Sequence, residues 1–504
     1  MTKPRQPLGA HAPALHLANL TLRFDERTLF ENVSLHLSPG WCALVGANGV
    51  GKTSFARLLA GRLTPTSGRV QHAPRPLVVR LVDQELDAPP GELDLLTEPR
   101  AARLPARLEV ATSAPWSRLS AGERRRLQIG LALAARPDVL ILDEPESHLD
   151  VGARLALLAA LRSFEGIGLL ITHRRDLASE LCSRTLVIDG ARLFDYAVAP
   201  SRDAGGASAL AEHRLLRERE ELVRSKARRE HARATSILAA QRSEHASADA
   251  RRSARARMRS SKDRDARSAS QTGRVERASS SLGGAVSSAR ARLARAEERL
   301  AATPIVREVG RAIVLRAGYE RRARVASVVC EELRAGDRVV LRGVSVIVEA
   351  SDKIHLAGPN GAGKSTLLQA LARSCSAPHF FLPQRLDREE SRAAALALAR
   401  LDRTSRGRVL SMAAALGTEP SQLLATSCPS PGEAKKLLLA GALAREVSVL
   451  FLDEPENDLD LPSVLRVQEA LASFAGALVL VSHDLELADL VTSRRWELRE
   501  GRIV

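Results

Sequence analysis

Residues Gly46–Ser54 read GANGVGKTS, and residues Gly358–Thr366 read GPNGAGKST. Both fit G-x-x-x-x-G-K-[ST], a loop whose glycines let backbone N–H groups close around phosphate oxygens at a helix N-terminus. In the first copy Gly46, Asn48, Gly49 and Gly51 build the loop, Lys52 is placed for the β- and γ-phosphates, and Thr53 and Ser54 open the helix. Gly358, Asn360, Gly361, Gly363, Lys364, Ser365 and Thr366 repeat the set. The hydroxyls of Thr53 and Ser365 suit Mg²⁺. An apolar run precedes each loop (Ala43–Val45 and Ile354–Ala357), as the strand–loop–helix setting requires.

The copies agree further downstream. VLILDEPESHLD spans Val139–Asp150 and VLFLDEPENDLD spans Val449–Asp460. A four-residue apolar run ending in Asp-Glu predicts a buried strand that delivers its acidic pair at its C-terminal end, where open α/β sheets bind ligands. Asp143 and Asp453 suit the Mg²⁺ shell. Glu144 and Glu454 suit polarisation of an attacking water. Between loop and strand lie LSAGE (Leu119–Glu123) and PSPGE (Pro429–Glu433), each leading into a basic helix. Read alone, these segments are also ordinary helix caps. A further apolar strand ends in His173 in one copy and in His483 in the other. Lys52 to His173 is 121 residues and Lys364 to His483 is 119, which favours a γ-phosphate contact for both histidines.

The chain has 504 residues, a formal net charge of +16 and 45% apolar residues, enough for about three domains with their own cores. No apolar run approaches the ~20 residues that span a bilayer. Met1–Leu15, broken by Pro4, Pro7 and Pro13, does not read as a signal peptide. The five cysteines lie far apart with no C-x-x-C pair, which disfavours a disulfide framework and a zinc site. The expectation is a cytoplasmic protein.

The charge concentrates in one place. Residues 211–300 hold 23 Lys/Arg against 12 Asp/Glu, leaving only +5 for the rest. The densest stretch is Arg251, Arg252, Arg255, Arg257, Arg259, Lys262, Arg264 and Arg267. Between Pro200 and Pro304 there is no proline, and Ala, Arg and Glu are strong helix formers. Leu215 and Leu222 stand seven apart, with small alanines following. The reading is two long antiparallel helices with a tip near 260–284, where Gly273, Gly283 and Gly284 fall. A disordered Arg/Ser/Ala linker is the alternative. Such an arm binds polyanions through phosphate contact and counterion release. Without aromatics it reads backbone and shape, as folded RNA offers, more than sequence.

With these residues in hand, the chain resembles the ATP-binding cassette superfamily over roughly 15–200 and 330–504. Tandem cassettes, a basic arm between them and no membrane segment resemble its ABC-F subfamily, soluble ATPases that act on the ribosome. The resemblance implies an α/β fold of two P-loop NTPase domains joined by a long basic α-helical hairpin. It implies a tail at 1–15, cassettes at 16–200 and 304–504, and an arm at 201–303. It implies ATP and Mg²⁺ as cofactors, hydrolysis by Glu144 and Glu454 with His173 and His483, and metal contacts from Thr53, Gln84, Asp143, Ser365, Gln384 and Asp453. Gln84 and Gln384 would sense the γ-phosphate, and Phe24 would stack on adenine. The family's cassettes close head to tail within one monomer, so Ser430, Gly432 and Glu433 would cover the ATP on Gly46–Thr53. Ser120, Gly122 and Glu123 would cover the other. The partners implied are rRNA and tRNA on the ribosome, in a translation factor or an antibiotic-resistance protein.

There are departures. Gly336 matches Phe24 by spacing, Pro429 replaces the usual Leu, and Arg174 follows His173 where the family has Asp. Two other classes stay open on sequence: the ATP-binding subunit of a transporter with a separate membrane partner, and a DNA-associated repair ATPase.

Overall fold

The computed structural model describes residues 12–24, 27–83, 108, 116–146, 149, 151–197, 206–257, 268–303, 323–445 and 447–504. Two compact units form: Met1–Leu210 with Val309–Val504, and Ala211–Glu308.

The first unit carries two six-stranded sheets of identical order. One runs Val79–Val82, Val139–Asp143, Ile167–Ile171, Gly40–Gly46, Arg184–Asp189, Arg192–Ala197. The other runs His379–Leu382, Val449–Asp453, Ala477–Val481, Lys353–Ala357, Arg494–Arg499, Arg502–Ile503. All neighbours are parallel except the last pair of each. The apolar runs VLILD and VLFLD are buried along their whole length. That is the pattern of central parallel strands covered on both faces. In each sheet the strand entering the phosphate loop pairs with the strand that leads to the histidine. The phosphate loop, the histidine and the Asp-Glu pair of each copy therefore gather at the C-terminal ends of three neighbouring strands.

Antiparallel sheets flank these cores. The first has three strands, Arg27–Leu37, Ala14–Phe24 and Ser67–Ala73; the second, among the described residues, has only Arg324–Ala335 and Arg338–Glu349. The hairpin register corrects one expectation. Phe24 faces Arg27 at the closing pair of its hairpin, and the residue in that place in the second copy is Ala335, facing Arg338. Gly336 sits one step further, in the turn, at φ 58°. Spacing from the loop missed this because the returning strand has 11 residues in the first copy, Arg27–Leu37, and 12 in the second, Arg338–Glu349.

The second unit is helical, built from the helix Gly206–Arg257 from Ala211 onward and from Ser268–Ala302. Arg224 donates to the Thr303 carbonyl at 3.0 Å, and Arg299 pairs with Glu230 at 3.2 Å, so the helices run antiparallel. Ala227, Ala234, Ala289 and Ala296 are buried. Each pair is seven apart, so small side chains recur along one seam and let the backbones approach. Leu215 and Leu222 are 56% and 58% exposed and lie off the seam. One expectation is corrected. Gly273, Gly283 and Gly284 lie inside the second helix and not at a tip. Tertiary pairing outweighs the modest helix cost of a glycine. The joining segment, 258–267, lies outside the described residues, and with it Arg259, Lys262, Arg264 and Arg267. Arg251, Arg252, Arg255 and Arg257 fall on the first helix.

Candidate active site

Each phosphate loop runs from a buried strand into a helix that starts at its lysine. Gly46, Gly49 and Gly51 have φ of 158°, 71° and 112°, and Gly358, Gly361 and Gly363 follow with 147°, 77° and 96°. A Cβ on Gly46 would stand 2.6 Å from the Ile188 carbonyl oxygen, so the loop can lie against the sheet only with glycine there. Lys52 Nζ donates to the carbonyls of Gly46 (2.9 Å) and Ala47 (3.1 Å). Lys364 Nζ does the same to Gly358 (2.8 Å) and Pro359 (3.0 Å). Burial pulls both ammonium groups below the usual lysine range, and the nearby carboxylates work against it. Ser54 and Thr366 occupy the first turn of their helices.

The acidic pairs lie opposite. Thr53 Oγ1 donates to Asp143 Oδ2 at 2.8 Å. Burial raises the carboxyl pKa of Asp143 and of Asp453, with the hydroxyls of Thr53 and Ser365 opposing. Asp453 Oδ1 is buried without a hydrogen-bond partner. A hydroxyl beside a desolvated carboxylate with a spare oxygen is a donor set that fits a hard divalent cation.

Glu144 and Glu454 follow at φ 49° and 46°, the left-handed region that side chains seldom adopt. Backbone bonds to Ile171 (2.9 Å) and Val481 (2.8 Å) hold them there. Such strain collects at functional sites. Glu144 Oε1 lies 2.9 Å from His173 Nε2, and Glu454 Oε1 lies 3.3 Å from His483 Nε2. Gln384 donates to Glu454 at 2.9 Å, and Asn457 donates to the same oxygen. Burial works to raise the Glu454 carboxyl. The donors from His483, Gln384 and Asn457 win and hold it at about 2. Glu144 is likewise lowered, against burial, by His173 and then Lys52. Gln84 and Asp150 lie outside the described residues.

Ser120 and Ser430 are N-caps of Ala121–Ala134 and Pro431–Ala444. Each forms a reciprocal capping box with Glu123 or Glu433. Across the unit, the Asn48 amide donates to Asp460 Oδ2 at 2.8 Å. A Cβ on Gly432 would meet the Asp458 carbonyl oxygen at 2.3 Å and approach Asn48 Nδ2 to 3.9 Å. The second signature therefore closes against the first phosphate loop. A cleft of about 1030 Å³ is lined by Asn360, Lys364 and Glu454 of the second copy and by Glu144, His173 and Arg174 of the first. Ser120, Gly122 and Glu123 are not among its lining residues. Phe24, 46% exposed, stands at its hairpin end.

Residues 30–147 and 341–457 match the family described as ABC transporter. The tylosin resistance ATP-binding protein TlrC of Streptomyces fradiae is 30% identical, covering 97% of this chain and 97% of its own. This chain belongs to the ABC-F subfamily of ATP-binding cassette proteins. The ribosome protection protein VmlR of Bacillus subtilis is 25% identical to this ABC-F ATPase, over 95% of this chain and 85% of that one. An archaeal ribosome recycling factor, aABCE1, solved with the stalk protein aP1, shares its fold at a TM-score of 0.58 and 16% identity, over 96% of this chain and 89% of that one. Among the described residues of this ABC-F protein no helix is long and apolar enough to cross a membrane.

Two functional groups escaped sequence reasoning. Arg125, 1% exposed, donates to the carbonyls of Asp83 and Asp143 and, at 3.0 Å, to that of Glu144. Lys435 donates to the carbonyls of Gln384 (2.7 Å) and Asn457 (3.0 Å). Both stand two residues after the signature glutamate, and that repetition was the available signal. Glu146 and Glu456 are the second group. Thr172 donates to Glu146, and Ser482 Oγ (2.7 Å) and the His483 amide (2.9 Å) donate to Glu456. These half-buried glutamates fix the segment that carries each histidine.

Proposed function

We propose that this protein is a cytoplasmic ribosome-bound ATPase. Its cassettes, 16–200 and 304–504, close head to tail on ATP and drive the arm, 201–303, toward tRNA and rRNA. The observation that carries the reading is the paired site within one unit, with Asn48 held by Asp460 beside Gly432 while the cleft brings Glu144 and Glu454 to one space. Relatives described as a ribosome protection protein and a tylosin resistance protein support the ribosome as the target. Leu210, early in the helix Gly206–Arg257 and the last residue of the first unit before Ala211, packs with Val45, Val187 and Leu461.

Lys52, Thr53, Lys364 and Ser365 take the phosphates. Thr53, Gln84 and Asp143 would hold Mg²⁺ in the first site, and Ser365, Gln384 and Asp453 in the second. That ion would supply neutralisation of the charge on the β- and γ-oxygens. Glu144 and Glu454 orient water, and His173 and His483 face the γ-phosphate. Ser430, Gly432 and Glu433 cover the first ATP, and Ser120, Gly122 and Glu123 the second.

The function is tested by sedimenting the full chain with ribosomes, with membranes and with duplex DNA, each with and without ATP. ATP-dependent recovery on ribosomes alone is expected. Recovery on membranes or DNA, or none on ribosomes, overturns the reading. The arm gives a second test. Replacing Arg251, Arg252, Arg255 and Arg257 with Gln lowers the slope of log affinity against log salt by roughly 3, at about 0.7–0.9 for each phosphate no longer neutralised. A titration of ribosome binding against KCl checks this.

Adenine contact makes a third. Phe24→Ala raises KM for ATP about fivefold or more, the effect of removing an aromatic platform worth ~1–3 kcal/mol per base. Ala335 in the matching place leaves the second site without that platform. Titrating a fluorescent adenine nucleotide against the wild-type chain is expected to give two affinities, and against Phe24→Ala one.

A further inference from the structure

We infer that Arg174 and Arg175 form a one-way latch by which the first cassette positions His483 of the second, so that hydrolysis at Glu454 depends on the first cassette while hydrolysis at Glu144 has no equal dependence. Arg174 directly follows His173. Its Nη2 donates to the His483 backbone carbonyl at 2.9 Å. Asp176 holds the guanidinium in place from the same cassette, with Nε to Oδ1 at 3.1 Å and Nη2 to Oδ2 at 2.9 Å.

Arg175 is 4% exposed, and its ion-pair partners belong to the second cassette. Nη1 donates to Glu486 at 3.1 Å. Nη2 donates to Gln468 at 2.5 Å and to Asp484 at 3.3 Å. Asp484 is the residue after His483, and its side chain caps the helix Leu485–Val491 through the Leu487 amide at 3.0 Å. Two consecutive cations thus grip the His483–Asp484 step, one at the His483 carbonyl and one through the Asp484 side chain. A buried, multiply bonded guanidinium has little rotamer freedom, so it fixes what it touches.

The corresponding positions after His483 are Asp484 and Leu485, an anion and an exposed apolar side chain. Neither can return the grip on His173 by donating from its side chain. The line Glu144–His173–Arg174–His483–Glu454 is continuous through contacts of 2.9, 2.9 and 3.3 Å and the one covalent link. It therefore has a direction. Arg174 and Arg175 are positioning residues, since they act through His483 and touch no reacting atom themselves.

The inference rests on the reading that Glu144 and Glu454 carry hydrolysis. Residual turnover in the single variants Glu144→Gln and Glu454→Gln, measured first, reports on that reading separately. Arg174→Ala is then placed in each background of the full chain. With Glu144→Gln, where only the second site turns over, kcat is expected to fall about tenfold to a hundredfold, the cost of a small misplacement of a catalytic group, with KM for ATP unchanged within about twofold. With Glu454→Gln, kcat is expected to stay within about twofold. Arg174→Lys, which keeps a cationic donor, recovers part of the loss.

A readout without nucleotide accompanies it. Hydrogen exchange of the segment 480–487 accelerates in Arg175→Glu and in Glu486→Arg, and returns toward the parent when the two are combined. Equal losses at both sites, a loss confined to KM, or no recovery of protection in the charge-swapped pair overturns the latch. Should Arg174→Ala not fold, Arg174→Gln carries the same comparison.

Discussion

A chain carrying both Glu144→Gln and Glu454→Gln is expected to bind ATP normally, to hydrolyse it about 10²- to 10⁴-fold more slowly, and to stay on the ribosome in ATP but not in ADP. The geometry explains why so small a change has so large an effect. Each glutamate is set at positive φ by a backbone bond from the neighbouring strand and faces a histidine at 2.9 or 3.3 Å. Their carboxyls are held below the usual range, Glu454 at about 2, so both are ionised near neutrality. A carboxylate that weak cannot gain much by taking a full proton from water. In the proposed reading its contribution is a fixed negative charge that orients the water, which suits a loose transition state dominated by positioning. Glutamine keeps the shape and loses that charge. Phosphate binding by Lys52 and Lys364 is untouched, so closure is separated from turnover. If ribosome retention in ATP matches that of the parent chain while hydrolysis falls, closure and release are not coupled through these residues. Single-turnover hydrolysis and ribosome sedimentation from one preparation make the comparison.

Much of this site is legible in the chain because it is written twice. The phosphate loops, the Asp-Glu strand ends and the terminal histidines repeat in order, and apolar runs that make five-residue strands buried throughout leave little choice but a parallel sheet. What stayed hidden shares a physical character. Arg125 and Lys435 follow a signature glutamate in a run of charges that reads as a solvated helix face. Yet the helix Ala121–Ala134 is buried nearly all round from Leu127 to Leu133, so periodicity gives no exposed face from which to exclude a buried cation. The arm misled in the opposite way. Leu215 and Leu222 have heptad spacing and are exposed, while alanines make the seam. Volume at a helix contact is set by how closely backbones approach, and side-chain hydrophobicity alone does not report it. Arg174 was visible as a departure, but its partner lies 309 residues away and no local rule reaches that far.

Arg125→Met is expected to destabilise the first cassette by about 3–5 kcal/mol and to abolish hydrolysis there. The guanidinium satisfies three main-chain carbonyls at once, those of Asp83, Asp143 and Glu144, from a position 1% exposed. Burial lowers its pKa, and the charges of Glu146, Asp143 and Glu144 oppose that, so the cation and the acidic cluster neutralise one another. Methionine fills similar volume but offers no donor. It leaves buried acceptors unmet, at ~1–3 kcal/mol each, and takes from Asp143 and Glu144 one of the cations that face them. The strand end before Gln84 is then no longer tied to the catalytic glutamate, so nucleotide sensing and water orientation separate. Lys435→Met in the second cassette should cost less, because Lys435 satisfies two carbonyls, of Gln384 and Asn457, and its carboxylate partner Asp458 is half exposed. At about 2–4 °C per kcal/mol for a domain of this size, Arg125→Met lowers the first cassette's melting transition by roughly 6–20 °C. Arg125→Lys keeps the charge but spans fewer carbonyls, and falls between. Calorimetry on the three variants orders them, and equal shifts for Arg125→Met and Lys435→Met would show that the number of carbonyls held is not what sets the cost.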